Sequence, residues 1–255
     1  MNSSPLSATE YASVQRLPAA FRLHQPGPDA CNDARSDESL LDLVMEHGPV
    51  ASIWQAPQSL VVPRTYRRFD AFDDACQQFA DRGWPVTVRQ TGGGIVPQGP
   101  GIINVSLAYR VEGQPMQHSE HGYQLICGLL ADALQALEVD AFPAAVEGSF
   151  CDGRYNLAAH QHGKVVKIAG TAQMWRRLRG TEHSHAGLIH ALVLLDVDTH
   201  AVTDVANGFE AAIGSGRRYR ADRVASIANL LASQHSLETA FDGALRRVLE
   251  GLPPL

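Results

Sequence analysis

Cysteine is scarce in this sequence, and its spacing excludes two common uses of the residue. The 255 residues include four cysteines, at Cys31, Cys76, Cys127 and Cys151. Four are too few for a disulfide framework in a chain of this length, and their spacing fits no zinc motif. We therefore expect reduced thiols in a cytoplasmic protein.

Long apolar runs and an excess of basic residues are also absent. No segment is apolar enough to span a bilayer, and residues 1–16 are polar and lack the apolar core of a signal peptide. The formal net charge of −6 argues against a nucleic-acid surface. The composition, 45% hydrophobic and 19% charged, is that of a globular protein. We expect it to bind neither nucleic acid nor membrane.

The order of the predicted elements favours an α+β fold. Residues 1–35 show no clean periodicity and are predicted to be an N-terminal extension, followed by one domain at 36–255. Helices and strands do not alternate steadily, which argues against a doubly wound parallel sheet. Strands are predicted at 50–54, 59–62, 85–90, 102–109, 164–169 and 192–197, and helices at 37–47, 71–82, 119–139, 220–232 and 236–250. Ser236 is the predicted cap of the last helix, and the helix at 119–139 and the two final helices are predicted to cover one face of the sheet.

A glycine run follows one of the predicted strands. Three glycines, Gly92 to Gly94, allow backbone amides to approach a ligand closely. The run lacks the ending of a P-loop and the spaced glycines of a dinucleotide fingerprint, so a flexible turn is the alternative interpretation. Arg89 stands just before it, and a cation beside a glycine turn suits a polar or anionic head group.

Cys151 differs from the other thiols because it lies in a turn-like sequence, Ser149 to Gly153. Cys76 and Cys127 fall on apolar faces of predicted helices and are interpreted as core residues. A reactive thiol needs a nearby cation, and Lys167 on an apolar strand is the candidate. The alternatives are an inert loop cysteine and a lysine that extends to solvent.

Histidine pairs offer the only hint of a metal site. His160 and His162, and likewise His183 and His185, would share a face of a strand. No third ligand with clear spacing accompanies either pair, so we predict no metal site. His190 precedes a predicted strand and is expected to cap a pocket or to pack.

Three blocks of the sequence together resemble the superfamily of lipoate–protein ligases, octanoyltransferases and biotin–protein ligases. Residues 88–96 resemble its Arg-x-Ser/Thr-Gly-Gly-x-x-Val block, which lines the acyl pocket. Residues 167–173 resemble its Lys-Ile/Val-Ala-Gly-x-Ala-Gln block, whose lysine contacts the acyl carbonyl. Residues 190–198 resemble a His-Gly block and apolar strand, with Ala191 in place of the glycine. The resemblance covers about residues 36–250 and implies a catalytic domain with a mixed central β-sheet flanked by helices.

A fourth element resembles one branch of this superfamily. Residues 149–157 are similar to the Ser-Phe-Cys-x-Gly-x-Tyr-Asp-Leu element of the cysteine-dependent octanoyl-[H protein]:protein N-octanoyltransferases, with Asn156 in place of Asp. This implies transfer of an octanoyl or lipoyl group to a lysine of a lipoyl domain through a thioester on Cys151. The ATP-using ligases carry His-Asp-x-Gly-Asn after the glycine run, where this chain has Pro97 to Gly101.

The resemblance also implies site residues and partners. Cys151 and Lys167 are the expected catalytic pair, and the expected substrate-binding residues are Arg89, Thr91, Gly92, Gly93, Gly94, Asn104, Gly170, Thr171, Ala172 and Gln173. The expected partners are lipoyl-domain proteins, namely E2 subunits of 2-oxoacid dehydrogenases and the glycine-cleavage H protein, together with acyl carrier protein as a candidate donor. No cofactor is expected. Two alternatives stay open, which are an ATP- and Mg²⁺-dependent lipoate–protein ligase and a non-catalytic module that binds lipoyl domains or acyl groups.

Overall fold

Two β-sheets and five α-helices make up the described part of the chain. The computed structural model describes residues 17–25, 35–181, 183–231 and 236–252. The strands are β1 (Arg22–Leu23), β2 (Val50–Trp54), β3 (Ser59–Pro63), β4 (Val86–Arg89), β5 (Val96–Gln98), β6 (Ile102–Glu112), β7 (Ala141–Pro143), β8 (Leu157–Gln161), β9 (Lys164–Arg177) and β10 (Ser184–Leu194). The α-helices are α1 (Leu40–His47), α2 (Phe72–Asp81), α3 (Pro115–Gln135), α4 (Thr199–Ala212) and α5 (Leu237–Leu249). Short 3-10 helices lie at Ser36–Ser39, Arg64–Arg68, Ala221–Arg223 and Ile227–Asn229.

The central sheet is mixed, as predicted. Its seven strands have the order β1-β2-β6-β10-β9-β8-β7, with β1 parallel to β2 and the other neighbours antiparallel. A second sheet has the order β4-β3-β5, with β3 parallel to β4 and antiparallel to β5. The turn at 55–58 therefore carries the chain from β2 in one sheet to β3 in the other. The α+β class with a mixed central sheet is confirmed.

The larger core lies on one face of the central sheet, beneath α3 and α5. Ile103, Val105 and Leu107 alternate along β6 and point towards this core, since successive side chains of a strand face opposite sides. Leu17 and Phe21 are buried in the same core, and β1 pairs with β2. The described part of the segment 1–35 thus packs against the central sheet, whereas Cys31 lies outside the described residues.

The opposite face of the central sheet is covered in two places. At one end, Leu40 and Leu41 of α1 pack with Ala108 and Leu188 of the sheet. At the other end, Phe150 packs beside the sheet strands in a separate small cluster. Between these two places the second sheet lies over the face, backed by α2 and α4. The space left between the two sheets is the pocket described below.

The predicted helix at 220–232 is wrong. Its described residues, 220–231, form two 3-10 turns joined by extended backbone, and two of their amides bond to distant parts of the chain. The Ala225 amide donates to the Lys167 carbonyl, and the Ala228 amide donates to the Leu195 carbonyl. These two amides are therefore not available for the hydrogen bonds of an α-helix.

Helix α4 is absent from the sequence-based prediction, and the final helix begins at the predicted position but without the predicted side-chain cap. The carboxylate of Asp198 accepts hydrogen bonds from the amides of His200 and Ala201, which is the N-cap that starts α4. Ser236 has a left-handed backbone, with φ of 61°, and its side chain makes no capping hydrogen bond to α5. Ser236 thus occupies the predicted N-cap position, but the predicted capping by its side chain is wrong. Of the helices predicted to cover one face, only those at 119–139 and 236–250 do so. No described helix is long and apolar enough to cross a membrane.

Candidate active site

Cys151 lies in a strained turn between β7 and β8. Its φ of 56° is in the left-handed region, which costs a residue with a side chain about 1–3 kcal/mol. Neighbouring contacts hold the turn in place: the Ser149 hydroxyl donates to the Val146 carbonyl at 2.7 Å, and the Asn156 amide donates to the Cys151 carbonyl at 2.6 Å. These hydrogen bonds hold the strained backbone in its conformation. Cys151 is partly accessible to solvent.

Lys167 reaches this turn from the middle of β9. Its ammonium group donates to the carbonyls of Phe150 at 2.5 Å and Cys151 at 2.9 Å, and it lies 5.6 Å from the centre of the Phe150 ring. The side chain is 1% exposed, and burial lowers its pKa from 10.5 to about 8. The structure thus brings the two expected catalytic residues together. An ammonium group has three donors, and two are used here among the described residues.

The glycine run folds around the guanidinium group of Arg89. Arg89 donates to the carbonyls of Gly92 at 2.8 Å and Gly94 at 2.9 Å. The guanidinium group is buried, and burial lowers its pKa from the ordinary value. Arg89 also lines the inner pocket described below, but it donates these hydrogen bonds to carbonyls of the glycine run. They therefore hold the loop in place.

Gly93 is the point at which the loop meets the thiol. Its φ is 106°, and a Cβ at this position would lie 2.6 Å from Cys151 Sγ and 2.8 Å from Arg89 Nη2. At Gly94, a Cβ would lie 3.6 Å from the Cys151 amide nitrogen. The glycines therefore allow the loop to pack against the cysteine turn, which is the close approach that a side chain would prevent.

An inner pocket extends from Cys151 between the two sheets. It contains about 520 Å³ of empty space, part of which is open to solvent. Its floor is a row of paired residues across the central sheet, Gly170, Leu192, Asn104 and Trp54, on neighbouring strands β9, β10, β6 and β2. Val61 and Val96 of the second sheet line it from above. The lining is mostly apolar, which suits a hydrocarbon chain.

A polar network borders the same pocket. His190 Nδ1 lies 2.9 Å from the carboxylate of Asp37, which also accepts a hydrogen bond from the Ser106 hydroxyl at 2.8 Å. The indole of Trp54 donates to the Ser106 oxygen at 3.2 Å. Ala172, His190 and Ser106 form the next row of the sheet beside Gly170, Leu192 and Asn104. The network therefore runs alongside the apolar floor.

An outer groove lies on the other side of the cysteine turn. Gly93, Gly94, Arg217, Arg218 and Tyr219 are among its lining residues, and it is open to solvent. Among the residues that the structure describes, Cys151 alone lines both the inner pocket and the outer groove. The thiol thus stands where a buried apolar space meets an accessible surface.

Hydrogen bonds hold the wall of the outer groove together. The carboxylate of Glu210 on α4 accepts from the hydroxyls of Tyr66 at 2.5 Å and Tyr219 at 2.6 Å. Tyr66 in turn accepts from the Ile95 amide at 3.1 Å and from Arg217 at 2.9 Å. This network ties the glycine run to α4 and to the basic segment that borders the groove.

The family of this protein is decided by comparison with known proteins. A family model described as the lipoyl protein ligase A/B catalytic domain matches residues 31–248. The chain belongs to this family. It is therefore an enzyme of the lipoate–protein ligase and octanoyltransferase family, as the sequence resemblance predicted.

Two relatives of the lipoyl protein ligase A/B family show how far the similarity extends. The chain is 46% identical over 238 residues to uncharacterized protein H16_B0148 of Cupriavidus necator, a match that covers 88% of this chain and 94% of the relative. It is 34% identical over 130 residues to the octanoyl-[GcvH]:protein N-octanoyltransferase of Kyrpidia tusciae, covering 50% of this chain and 43% of that protein. The chain thus matches less than half the length of that transferase.

Solved structures of lipoate ligases share the fold. A lipoate-protein ligase A bound with ATP superposes with a TM-score of 0.63 at 18% identity, over 90% of this chain and 85% of that chain. The putative lipoate protein ligase Ta0514 of T. acidophilum gives a TM-score of 0.62 at 19% identity, over 90% of this chain and 84% of that one. At these identities the similarity concerns the fold alone.

Five of the ten residues that the family resemblance assigned to substrate binding line the inner pocket. Gly170, Thr171, Ala172 and Asn104 line it together with Arg89, and Gly93 and Gly94 line the outer groove. The Thr171 hydroxyl points away and donates to the Tyr155 carbonyl at 2.6 Å, so only its backbone borders the pocket.

Two predicted substrate-binding side chains are not in the inner pocket. Gln173 follows Ala172 on β9 and therefore faces the opposite side of the sheet, where it donates a hydrogen bond to Ser119 of α3. Thr91 is buried in a smaller cavity beside the pocket, near Met174, and its hydroxyl has no partner among the described residues. Neither placement supports a contact with an acyl chain at the pocket floor.

Sequence reasoning missed part of the pocket wall. Trp54, Asp37 and Gln98 were not candidates because nothing in their local sequence sets them apart from core or surface residues. His190 was expected only to cap a pocket or to pack. No group of three or more metal-ligating residues occurs in the described parts of the chain.

Replacing Gly93 with alanine is expected to change the reactivity of the Cys151 thiol without unfolding the protein. The new Cβ meets Cys151 Sγ and Arg89 Nη2 at contact distances that atoms do not adopt, so the loop must shift away from the cysteine. We expect the rate of Cys151 alkylation by iodoacetamide to change at least about threefold, because thiol reactivity follows the local environment. Gly92→Ala is the matched control, since a Cβ there meets nothing within 4 Å. Equal alkylation rates in wild type and Gly93→Ala would show that the loop does not touch the thiol.

Proposed function

We propose that the protein is an acyltransferase that moves an octanoyl or lipoyl group to a lysine of a lipoyl domain through a thioester on Cys151. The observation that carries the proposal is the position of Cys151 between an inner apolar pocket and an accessible outer groove, beside the Lys167 ammonium. Such a position suits an acyl chain that stays buried while two different proteins approach the carbonyl from outside.

The first step forms the acyl-enzyme. The Cys151 thiol loses its proton, and the thiolate attacks the acyl carbonyl of the donor. A new C–S bond forms, the donor's own C–S or C–N bond breaks, and the leaving group takes up the proton that the thiol lost. The ammonium group of Lys167 stabilises the thiolate and the negative charge that develops on the carbonyl oxygen. In support, Lys167 has a donor left over from its two carbonyl contacts among the described residues.

The second step transfers the acyl group to the acceptor. The neutral amine of a lipoyl-domain lysine attacks the thioester, an amide bond forms, and the C–S bond to Cys151 breaks. The departing Cys151 thiolate takes up the proton that the amine loses. The pocket contributes by holding the hydrocarbon chain, at about 0.8 kcal/mol for each methylene removed from water. The other free thiols are poorer nucleophiles, because burial raises the pKa of Cys76 to about 11 and of Cys127 to about 12.

The donor is proposed to be a carrier-bound acyl group instead of a free acid activated by ATP. The segment after the glycine run has Pro97 and Gln98 where the resemblance places the His-Asp of the ATP-using ligases. The Kyrpidia tusciae relative is an octanoyl-[GcvH]:protein N-octanoyltransferase. Candidate donors are therefore octanoylated H protein and octanoyl carrier protein, and the acceptor is a lipoyl domain.

Intact-mass analysis tests the proposal directly. The protein is mixed with octanoyl carrier protein or octanoyl H protein, denatured and weighed before and after hydroxylamine treatment. We expect an octanoyl adduct that survives denaturation and is removed by hydroxylamine, which is the behaviour of a thioester. A parallel sample contains free octanoate, ATP, Mg²⁺ and a lipoyl domain. Octanoylation of the lipoyl domain in that sample alone would identify an ATP-dependent ligase, and binding without any modification would identify a non-catalytic module.

A further inference from the structure

A pair of buried amides stands in the wall of the inner pocket. Gln98 and Asn104 are 4% and 5% exposed, and each donates one hydrogen bond to the other at 2.9 Å. Both line the pocket, Asn104 from the floor and Gln98 from the second sheet. Polar side chains buried in an otherwise apolar pocket are the groups that fix the specificity of a site.

The register of the central sheet gives the position of these amides along the pocket. Asn104 pairs with Leu192, and Leu192 pairs with Gly170, so two strand spacings separate Asn104 from Gly170. That separation is about 10 Å, at roughly 4.8 Å per strand. Gly170 marks the cysteine end of the pocket, because a Cβ there would lie 3.1 Å from the Lys167 ammonium nitrogen.

An acyl chain of eight carbons matches this separation. A zigzag chain advances roughly 1.3 Å for each C–C bond of ~1.5 Å, so its last carbon lies about 9 Å from the carbonyl carbon. With the carbonyl at Cys151 and Lys167, the eighth carbon reaches Asn104. Trp54, which pairs with Asn104 on the next strand, closes the pocket beyond this point.

The amide pair has unused hydrogen-bonding capacity at that position. An amide side chain carries two N–H donors and an acceptor oxygen, and the reciprocal pair uses one donor of each residue. Among the residues described by the structure, neither second N–H has an acceptor. A plain methyl end would cover these donors with hydrocarbon and leave them without water or partner, which lowers affinity.

We propose that the inner pocket accepts an octanoyl chain but prefers a medium-chain acyl group whose far end carries an oxygen that accepts a hydrogen bond, such as a hydroxyl or oxo group near the eighth carbon. The free N–H groups of Gln98 and Asn104 donate to this oxygen. The polar row formed by His190 and Ser106 beside the floor keeps this end of the pocket compatible with a polar group. The inference rests on the proposed function only in assigning the pocket to an acyl chain.

Isothermal titration calorimetry of the unmodified protein tests the inference without any chemical step. Octanoic acid and 8-hydroxyoctanoic acid are titrated under identical conditions. We expect the hydroxy acid to bind about tenfold more tightly, because only its hydroxyl satisfies the buried donors. Equal affinities, or tighter binding of octanoic acid, would overturn the inference.

A double variant assigns the preference to the amide pair. In Gln98→Leu/Asn104→Leu both hydrogen-bonding partners are replaced by apolar groups of similar size, a change that costs folding less than removing one partner. We expect the variant to bind octanoic acid at least as tightly as the hydroxy acid. Gln77→Leu, on the exposed side of α2, is the control and keeps the preference. A preference for the hydroxy acid that survives in the folded double variant contradicts the inference.

Acylation by thioesters separates this inference from the proposed function. The N-acetylcysteamine thioesters of both acids are offered to the protein, and Cys151 is examined by peptide mass analysis. No adduct from either thioester would count against the Cys151 mechanism and would leave the calorimetric comparison intact. Adducts from both, together with equal affinities of the two acids, would support the mechanism and overturn the polar-end specificity.

Discussion

Replacing Cys151 with alanine or serine is expected to lower the rate of acyl transfer by about 10³-fold or more. The thiolate is the atom that forms the covalent intermediate, so its removal eliminates the two-step path and not merely a contact. The rate is measured as octanoylated lipoyl domain formed from octanoyl carrier protein or octanoyl H protein. The fold is expected to persist, because the left-handed turn at Cys151 is held by Ser149 and Asn156 through backbone carbonyls.

Cys76→Ala provides the matched control. Cys76 is also a partly accessible free thiol, but it lies on α2 within the core behind the second sheet. Its replacement is expected to leave the transfer rate within about a factor of two. A Cys151→Ala protein that transfers octanoyl groups at the wild-type rate would refute the thioester mechanism. In that case the ATP-dependent reaction becomes the function to measure.

Replacing Lys167 with methionine is expected to lower the transfer rate by about 10²-fold to 10³-fold. Methionine fills similar space but removes the positive charge beside the reacting carbonyl, and loss of one such donor is typically worth this much. It also removes both hydrogen bonds to the carbonyls of the cysteine turn. Circular dichroism and the transfer assay are measured on the same samples.

The pH dependence of the free energy of unfolding tests whether Lys167 is buried as a charged group. A residue that only filled space at this position would not produce such a dependence. Burial lowers the pKa of Lys167 from 10.5 to about 8. Between these values the unfolded chain binds more protons than the folded one, so this residue makes stability rise with pH. The gain is at most about 3 kcal/mol, at ~1.4 kcal/mol per pKa unit, and it is lost as pH falls from about 10.5 to about 8.

Urea unfolding between pH 7 and pH 10.5 measures this contribution as the difference between wild type and Lys167→Met. Subtraction removes the ionisation of groups that the two proteins share. Lys164→Met is the control, since Lys164 is the only other lysine and forms an exposed ion pair with Asp222 at 3.4 Å. Exposed pairs contribute roughly 0–1 kcal/mol. A difference that stays constant across this pH range would show that the ammonium group is not buried as the structure describes.

The local motifs of the site could be predicted because each is continuous in the sequence. The structure has the glycine run, the cysteine turn and the lysine-bearing strand at the positions that the sequence predicted for them. Their conformations depend on nearby residues: the loop folds around Arg89, three to five positions away, and Asn156 bonds the carbonyl of Cys151 five positions earlier. Short-range hydrogen bonds of this kind leave a recognisable pattern in the sequence.

The pocket could not be predicted to the same extent because it is assembled from strands distant in sequence. Trp54, Asn104, Leu192 and Gly170 form one row only because of the pairing register of four strands. A shift of one residue in any pair would turn these side chains to the other face. The same alternation explains why Gln173, adjacent to Ala172 in the family block, faces α3 instead of the pocket.

The sequence by itself determined the superfamily, the α+β class and the candidate chemistry of Cys151 with Lys167, since these depend on residue types at fixed short spacings. The tertiary structure alone decided what surrounds that chemistry. It placed the amides of Gln98 and Asn104 at the far end of the pocket. It also replaced the helix predicted at 220–232 with two 3-10 turns joined by extended backbone. The physical reason is that register, burial and backbone hydrogen bonds between distant strands are set by the packing of the whole chain.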